Sequence, residues 1–446
     1  MPYAIDLFCG AGGMSEGLIQ AGFHILFSSD INEDVEKTYK NRHAQLGLLQ
    51  GINTYFHRCD IRELSGDFIN NCISNLTIFN NREVPNDIDV IFGGPPCQGF
   101  SRAGRRQADD PRNLLFGEYL RVINEVNPKY VVMENVVGFL DTKFFGFIGV
   151  TGHIYEDGMT APDILRHEFE LIGYHTLEPR VLDASNYGVP QRRNRIIFIA
   201  YRDDVNIPNY PEPIIVNEED KLTIQTAISD LIRNTRIRNR VYNENRTQYQ
   251  LDSINGRTPN INGETINSNG IFHNNEISNH TPLIRERFSL FREGESGSQL
   301  RMRVSTNGIN LQRHNSLIEC CSNKLNLQPE EVIEMYRNAD VDTKMLDILL
   351  SKKSIRSRLD RSKPSATVMT LPDDYISPFE PRTFTVRELA RLQSFDDSFI
   401  FLGKRTTGGI RRRVEVPQYT QVGNAVPPLL AKAIAQEIMK AINAEI

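Results

Sequence analysis

A basic surplus is missing from this chain. Over 446 residues, 51 Lys and Arg stand against 56 Asp and Glu, a formal charge of −5 at neutral pH. Bulk charge gives no reason to expect a polyanionic partner, so any nucleic-acid-binding face has to be local. Cysteine is scarce too. The six are Cys9, Cys59, Cys72, Cys97, Cys320 and Cys321, and none forms a C-x-x-C pair. That pattern excludes the usual structural zinc site and a disulfide framework, and no other metal-ligand constellation appears. No apolar run reaches the roughly 18–20 residues needed to cross a bilayer. No secretory h-region precedes the first strand pattern at Tyr3, and internal repeats are lacking. The expectation is a cytoplasmic chain with reduced thiols and no membrane contact. What is present, 39% hydrophobic and 24% charged residues, is the composition of a globular protein with a sizeable core. The length suits two domains at roughly 100–200 residues each.

Positive charge does gather in two places. Residues 231–313 hold twelve Arg against seven Glu or Asp, and 351–363 hold six Lys or Arg against Asp360 alone. Before them, up to about residue 205, short β-rich runs alternate with helical ones. Tyr3–Phe8, His24–Ser29, Asp89–Phe92, Tyr130–Glu134 and Arg195–Tyr201 read as strands. Ser15–Gly22, Glu33–Arg42, Asn113–Asn127 and Pro162–Ile172 read as helices. Such alternation predicts an α/β fold with a parallel, doubly wound sheet. Residues 206–315 are rich in Asn, Arg, Ser and Gly with little periodicity, which suits a loop-rich second domain better than a linker. Helical patterns return near Pro329–Leu350, Val386–Gln393 and Pro428–Ile442.

Five segments carry chemistry. The turn Asp6-Leu-Phe-Cys-Gly-Ala-Gly-Gly-Met-Ser15 follows an apolar strand and opens a helix, the context in which glycines admit a ligand to the backbone. Its helix N-terminus favours a negative group. Asp30, at the end of the second strand, is placed to accept from ribose hydroxyls. Dinucleotide enzymes share both features. In Gly93-Gly-Pro-Pro-Cys-Gln-Gly-Phe-Ser101, two prolines stiffen the backbone before Cys97 and glycines follow, so a thiol is presented on a loop at the sheet's carboxyl edge. A packed structural cysteine is the common alternative and suits Cys9, Cys59 and Cys72. The strand in Val131-Val-Met-Glu-Asn-Val-Val137 ends on Glu134, an ionisable group that is costly there unless paired or used. A desolvated carboxyl of raised pKa could donate to a ring nitrogen; a salt bridge or cap would also account for it. Arg193 and Arg195 alternate in Gln191-Arg-Arg-Asn-Arg-Ile196, so an emerging strand would put them on one face. There they could hold a carbonyl oxygen or a phosphate, as could the arginines of a solvated edge strand. Gln421-Val-Gly-Asn-Ala-Val-Pro-Pro428 reads as the start of the last helix.

Taken together, DLFCGAGG, GGPPCQGFS, ENVVG, QRRNR and QVGNAVPP stand in the order and approximate spacing of the DNA cytosine-5 methyltransferase family, which the chain resembles over residues 3–202 and 361–442. RSKPSATVMT and FTVRELARLQSF also look like that family's segments. The resemblance implies a Rossmann-like, S-adenosylmethionine-dependent catalytic domain over 1–205, completed by 361–446. A smaller target-recognition domain would be inserted at 206–360. It implies Cys97 as nucleophile, Glu134 as acid, and Arg195, with Arg193 beside it, on the cytosine carbonyl. The cofactor pocket would be lined by Asp6, Phe8, Gly10, Gly12, Gly13, Asp30, Ile31, Asp60, Ile61, Pro95, Asn424 and Val426. Ile31 stands where some members have a large aromatic, which puts ring stacking on that face of adenine in doubt. The polar loop Gln98–Arg112, with Ser101, Arg102, Arg105 and Arg106, is long and charged enough to close over double-stranded DNA.

The chemistry accounts for these residue types. Cytosine C5 attacks an electrophilic methyl only after a thiolate has added at C6, and the ring must first leave the duplex. No metal is needed, and S-adenosylhomocysteine would be the product. An RNA cytosine-5 methyltransferase on the same scaffold is the nearest alternative; the extra domain favours DNA. A catalytically idle DNA-binding regulator would not need Cys97, Glu134 and Arg195 intact, and a nicotinamide dehydrogenase has no use for PPCQ and ENV. A stand-alone bacterial or phage modification enzyme, monomeric in the cytoplasm or nucleoid and paired with a restriction endonuclease, fits the architecture.

Overall fold

A computed structural model describes residues 1–80, 82–96, 115–241, 245–351, 356–407, 411 and 414–444. The first half builds one sheet from β1 (Tyr3–Leu7), β2 (His24–Asp30), β3 (Tyr55–Arg58), β4 (Val90–Gly93), β5 (Tyr130–Val136), β6 (Tyr174–Thr176), β7 (Arg180–Asp183) and β8 (Asn194–Arg202). Between the strands lie α1 (Gly13–Gln20), α2 (Glu33–Gln45), α3 (Gly66–Ser74), α4 (Leu115–Val126) and α5 (Ala161–Leu171). The strand order is β3-β2-β1-β4-β5-β8-β6, with β7 also on β8. β1 to β5 are parallel, as expected from the alternation. The parallel prediction fails at β8, which runs antiparallel to β5, β6 and β7. A parallel return needs a crossover of a dozen or more residues. Only the short stretch 184–193 joins β7 to β8, so the chain folds straight back.

Two apolar layers sandwich the sheet. One face packs α3, α4 and α5 through residues such as Ile73, Leu120, Ile123, Leu165 and Phe169. The other is covered by α1 and by α16 (Pro428–Asn443), the last helix of the chain. Leu430, Ile434 and Ile438 recur every four residues along α16 and are fully or almost fully buried. Each contributes on the order of 2 kcal/mol of burial, and together they return the C-terminus to the first helix. Two glycines on one face of α1 permit the close approach. A Cβ at Gly13 would lie 2.1 Å from the Val426 carbonyl oxygen, and one at Gly17 would lie 2.5 Å from the Ala431 Cβ.

The middle of the chain is more helical than its composition suggests. It contains α6 (Ile224–Ile228), α7 (Thr235–Val241), α8 (Gln248–Asn255), α9 (Pro282–Ser289), α10 (Gly297–Asn307), α11 (Asn315–Leu325), α12 (Pro329–Arg337) and α13 (Thr343–Leu350). Caps start these short helices where periodicity is weak: Thr247 with Gln250, and Ser296 with Gln299, form capping boxes. Irregular chain persists between α8 and α9. The apolar residues of α9–α13 make their own core around Leu300, Leu317, Val332, Tyr336 and Leu349. Those of α6 and α8 share a different core with Phe384–Phe401, which includes α14 (Val386–Leu392).

Candidate active site

The sheet's winding reverses at β1. The chain passes from β1 to β2 on one side, and β4 then adds on the other. Ligands of open α/β sheets bind at such a switch point, beyond the carboxyl ends of the strands. There β1 runs into the turn that opens α1. Phe8 sits in the left-handed region with φ 56°, a conformation a bulky aromatic adopts only when its surroundings enforce it. Gly12 follows at φ 98°, and a Cβ at Gly10 would meet no atom within 4 Å, so one side of the turn stands open. The Asp30 carboxylate ties the end of β2 to this turn, accepting from the Gly10 N–H at 3.1 Å and the Asn32 N–H at 2.9 Å. Asp6 is fully buried. Ser15 Oγ donates to its Oδ2, while Oδ1 has no partner among the described residues. Burial pushes the Asp6 pKa up to about 7, Asp30 adding to the rise and Ser15 opposing it. Burial also raises Asp30, against the pull of its backbone N–H donors.

The next two strand ends converge beside this turn. A Cβ at Gly94 would lie 3.2 Å from Glu134 Oε2 and 3.5 Å from Met14 Cε. Asn135 Nδ2 donates to the carbonyl of Pro95, itself buried, at 3.2 Å. The chain leads from here to Cys97, which lies outside the described residues, as do Gln98, Ser101, Arg102, Arg105, Arg106 and Arg112. On β5, Glu134 does not stand alone in an apolar pocket. Arg195 Nε of β8 meets its Oε1 at 2.6 Å, and the two side chains are 12% and 13% exposed. Arg193 precedes β8 instead of alternating along it. It is buried; its Nη2 donates to the Gly423 carbonyl at 3.0 Å and its Nε has no partner among the described residues. Burial, and then repulsion from Arg195, drive its pKa far below the usual arginine range, with Glu134 opposing.

Other expected residues are placed with different clarity. Ile31 is 62% exposed and Ile61 is buried. Asp60 caps a short turn and binds Arg62, which holds its carboxyl below the usual range. The QVGN segment is not the start of the last helix. It closes α15 (Gln418–Asn424), and Ala425–Pro427 link it to α16. Pro427 and Pro428 supply no backbone N–H and so open a new helix. Asn424 is exposed there, and the Val426 carbonyl rests against Gly13. Sequence reasoning missed Gln191 and Gln393, both fully buried within this site; a glutamine carries no signal of its buried partner.

Part of the local arginine surplus is engaged within the protein. Arg257 pairs with Asp396, Arg301 with Asp347 and Arg303 with Glu295, and Arg287 donates to the carbonyls of Ile348 and Leu349. Arg358 and Arg361 likewise bind Phe291, Pro378 and Glu293. Arg233, Arg236, Arg246, Arg285, Arg292 and Arg313 are exposed.

A family model described as C-5 cytosine-specific DNA methylase matches residues 3–440. The chain is 33% identical over 439 residues to the type II methyltransferase M1.HphI of Haemophilus parahaemolyticus, covering 98% of this chain and 86% of that protein. It is 31% identical over 441 residues to the type II methyltransferase M.DdeI of Desulfomicrobium norvegicum, covering 97% and 88%. Among solved structures, a DNA modification methyltransferase described as encoded within an E. coli prophage shares the fold over 100% of both chains, at a TM-score of 0.63 and 22% identity.

Proposed function

We propose, from the premise that this chain belongs to the C-5 cytosine-specific DNA methylase family, that Cys97, Glu134 and Arg195 act together on a cytosine flipped out of double-stranded DNA. The enzyme is a DNA cytosine-5 methyltransferase, and its family uses S-adenosylmethionine. The crevice beyond β1 fits that cofactor. Among the described residues a buried Asp6 Oδ1 lacks a partner and the turn is open beside Gly10, and Asp30 keeps acceptor capacity for ribose hydroxyls. Asp6, Phe8, Gly10, Gly12, Gly13, Asp30, Ile31, Asp60, Ile61, Pro95, Asn424 and Val426 would hold it. S-adenosylmethionine supplies an electrophilic methyl group and leaves as S-adenosylhomocysteine.

The observation that carries the reading is the Glu134–Arg195 pair at 2.6 Å, one strand over from the end of β4. N3 and O2 of cytosine are adjacent acceptors on one ring edge. The Glu134 carboxyl sharing a proton with N3 and a guanidinium N–H donating to O2 match that edge. Both interactions drain electrons from the ring as the Cys97 thiolate adds at C6, forming S–C6 and making C5 nucleophilic. After methylation, loss of the C5 proton to a base expels the thiolate. Arg193, held on Gly423, supports Arg195 from behind by fixing the approach to β8. Gln98, Ser101, Arg102, Arg105, Arg106 and Arg112, which follow the nucleophile, would meet the duplex. A restriction endonuclease of matching specificity is the functional partner we infer, and the monomer the acting form.

A fluorinated substrate tests the mechanism. Fluorine cannot leave C5 as a cation, so an oligonucleotide with 5-fluorocytosine at the mapped target should become covalently attached when S-adenosylmethionine is present. Peptide mapping should place the adduct on Cys97, and Glu134→Gln should form it much more slowly. Product on ordinary DNA without any such adduct would overturn the assignment of Cys97.

A further inference from the structure

Two glutamines outside the reacting set join the substrate side of the site to the cofactor side. Both are fully buried. Gln191 Nε2 donates to Gln393 Oε1 at 2.8 Å and to the Leu392 carbonyl at 3.2 Å, and its Oε1 accepts from the Val368 N–H at 2.7 Å. Gln393 Nε2 then donates to the carbonyls of Val422 at 2.7 Å and Ala425 at 3.2 Å. Arg193 takes the carbonyl between them, Gly423, at 3.0 Å. Three carbonyls of one turn are thus gripped by the side chains of Arg193 and Gln393, and Gln191 holds Gln393 in place. The turn has little freedom on its other side. A Cβ at Gly423 would lie 2.8 Å from the Met369 backbone, and the Val426 carbonyl rests against Gly13. Burying two amides is favourable only when their hydrogen bonds are made, and such satisfied networks confer rigidity.

We propose that Gln393 is a positioning residue for methyl transfer. It sets the distance between the turn carrying Asn424 and Val426, on the cofactor side, and the Gln191–Arg195 segment that aims Arg195 at the base. This rests on the assignment of those two sides under Proposed function. Gln393 touches neither substrate nor cofactor. It registers one against the other, and a misplacement of about 1 Å between reacting groups can cost about 100-fold in rate.

The role predicts a split between two reactions of the same site. Thiolate addition at C6 needs only Cys97, Glu134 and Arg195. It makes C5 take up a solvent proton; loss of the original C5 proton and cleavage of S–C6 then complete an exchange that needs no cofactor. Methyl transfer needs the additional alignment. Gln393→Glu keeps the shape and the acceptor for Gln191 but removes both donors to the turn. We expect the ratio of single-turnover methyl transfer to cofactor-free C5 proton exchange to fall by about 100-fold in Q393E, with exchange close to wild type and a raised KM for S-adenosylmethionine. Gln191→Glu, which cuts the donations to Gln393 Oε1 and to the Leu392 carbonyl but leaves Gln393 its own donors to the turn, should move the ratio the same way by less, and it serves if Q393E does not fold. An unchanged ratio, with exchange and transfer falling together alongside thermal stability, would make the pair merely structural and overturn the proposal. Absence of exchange in the wild-type enzyme would instead overturn the assignment of Cys97.

Discussion

Asp6 shows how a single residue's surroundings set its chemistry. Its carboxyl ends up buried beside Asp30 with one oxygen unpartnered, and its pKa rises to about 7. Below pH 4 it is protonated in folded and unfolded chain alike and has no effect. Between pH 4 and 7 the unfolded chain releases this proton while the folded one keeps it, so the group costs stability progressively as pH rises, on the order of a few kcal/mol in full. Asp6→Asn should therefore flatten the decline of urea-unfolding stability between pH 4 and 7. A cationic ligand near Oδ1 favours the ionised form, so S-adenosylmethionine binding should tighten from pH 6 to 8 in wild type and not in Asp6→Asn. Calorimetry at the two pH values checks this, and equal tightening in both proteins would remove Asp6 from contact with the cofactor's charge. Asp6 was legible as a candidate site residue from its turn. Its raised pKa was not, because that depends on Ser15 and Asp30 packing around it. Glu134 shows the converse: its place at the end of β5 was readable, while its pairing with Arg195 required the antiparallel β8.

At the scale of elements, α1 and α16 are the informative pair, more than 400 residues apart in sequence. Glycine inside a helix ordinarily costs about 1 kcal/mol relative to alanine, so Gly17→Ala would be stabilising on helix propensity alone. The packing reverses the sign. The new Cβ would lie 2.5 Å from both Ala431 Cβ and the Lys432 nitrogen, and 2.7 Å from the Pro428 carbonyl oxygen. Overpacking of this kind costs about 1–3 kcal/mol, and pushing α16 outward also moves Val426 off Gly13. Gly17→Ala should lower unfolding free energy in urea and weaken cofactor binding. A stabilised variant with unchanged binding would show that α16 can shift without cost. The stripe on α16 and the strands β1, β2, β4 and β5 were readable from periodicity. β3, α3, β6 and β7 were not, being short and lacking a distinctive apolar period, and the direction of β8 followed from a connection too short for a crossover.

The whole molecule divides less simply than its composition. Residues 282–350 form helices around their own core. Residues 224–258 are fastened to the C-terminal segment through buried pairs: Arg391 with Asp230 and Asp397, Arg257 with Asp396, and the Tyr249 hydroxyl on the Arg391 carbonyl. Removing one partner of a buried ion pair costs about 3–5 kcal/mol. A chimaera exchanging only 282–350 with a relative should therefore fold and methylate DNA, whereas exchanging 224–258 should lower thermal stability sharply. Base-resolution mapping of the first chimaera's product then locates the reading of the target: retention of the original site would place recognition outside 282–350. Ion pairs and hydrogen bonds of this kind engage part of the arginine excess counted from composition. No helix among the described residues is long and apolar enough to cross a membrane.

The α/β class, the family resemblance and the residue types proposed for the reacting centre could be read from the order of residues alone. These depend on local order: a strand pattern, a glycine turn after it, a stiffened cysteine, a strand closing on a carboxylate. Which charges are paired, which glycines are contact points, that β8 runs against its neighbours, and that Gln191 bonds Gln393 came only with the packed fold. Those outcomes depend on groups that lie far apart along the chain, 202 residues in the case of the two glutamines. A buried hydrogen bond or ion pair exists only once burial has removed water as its competitor.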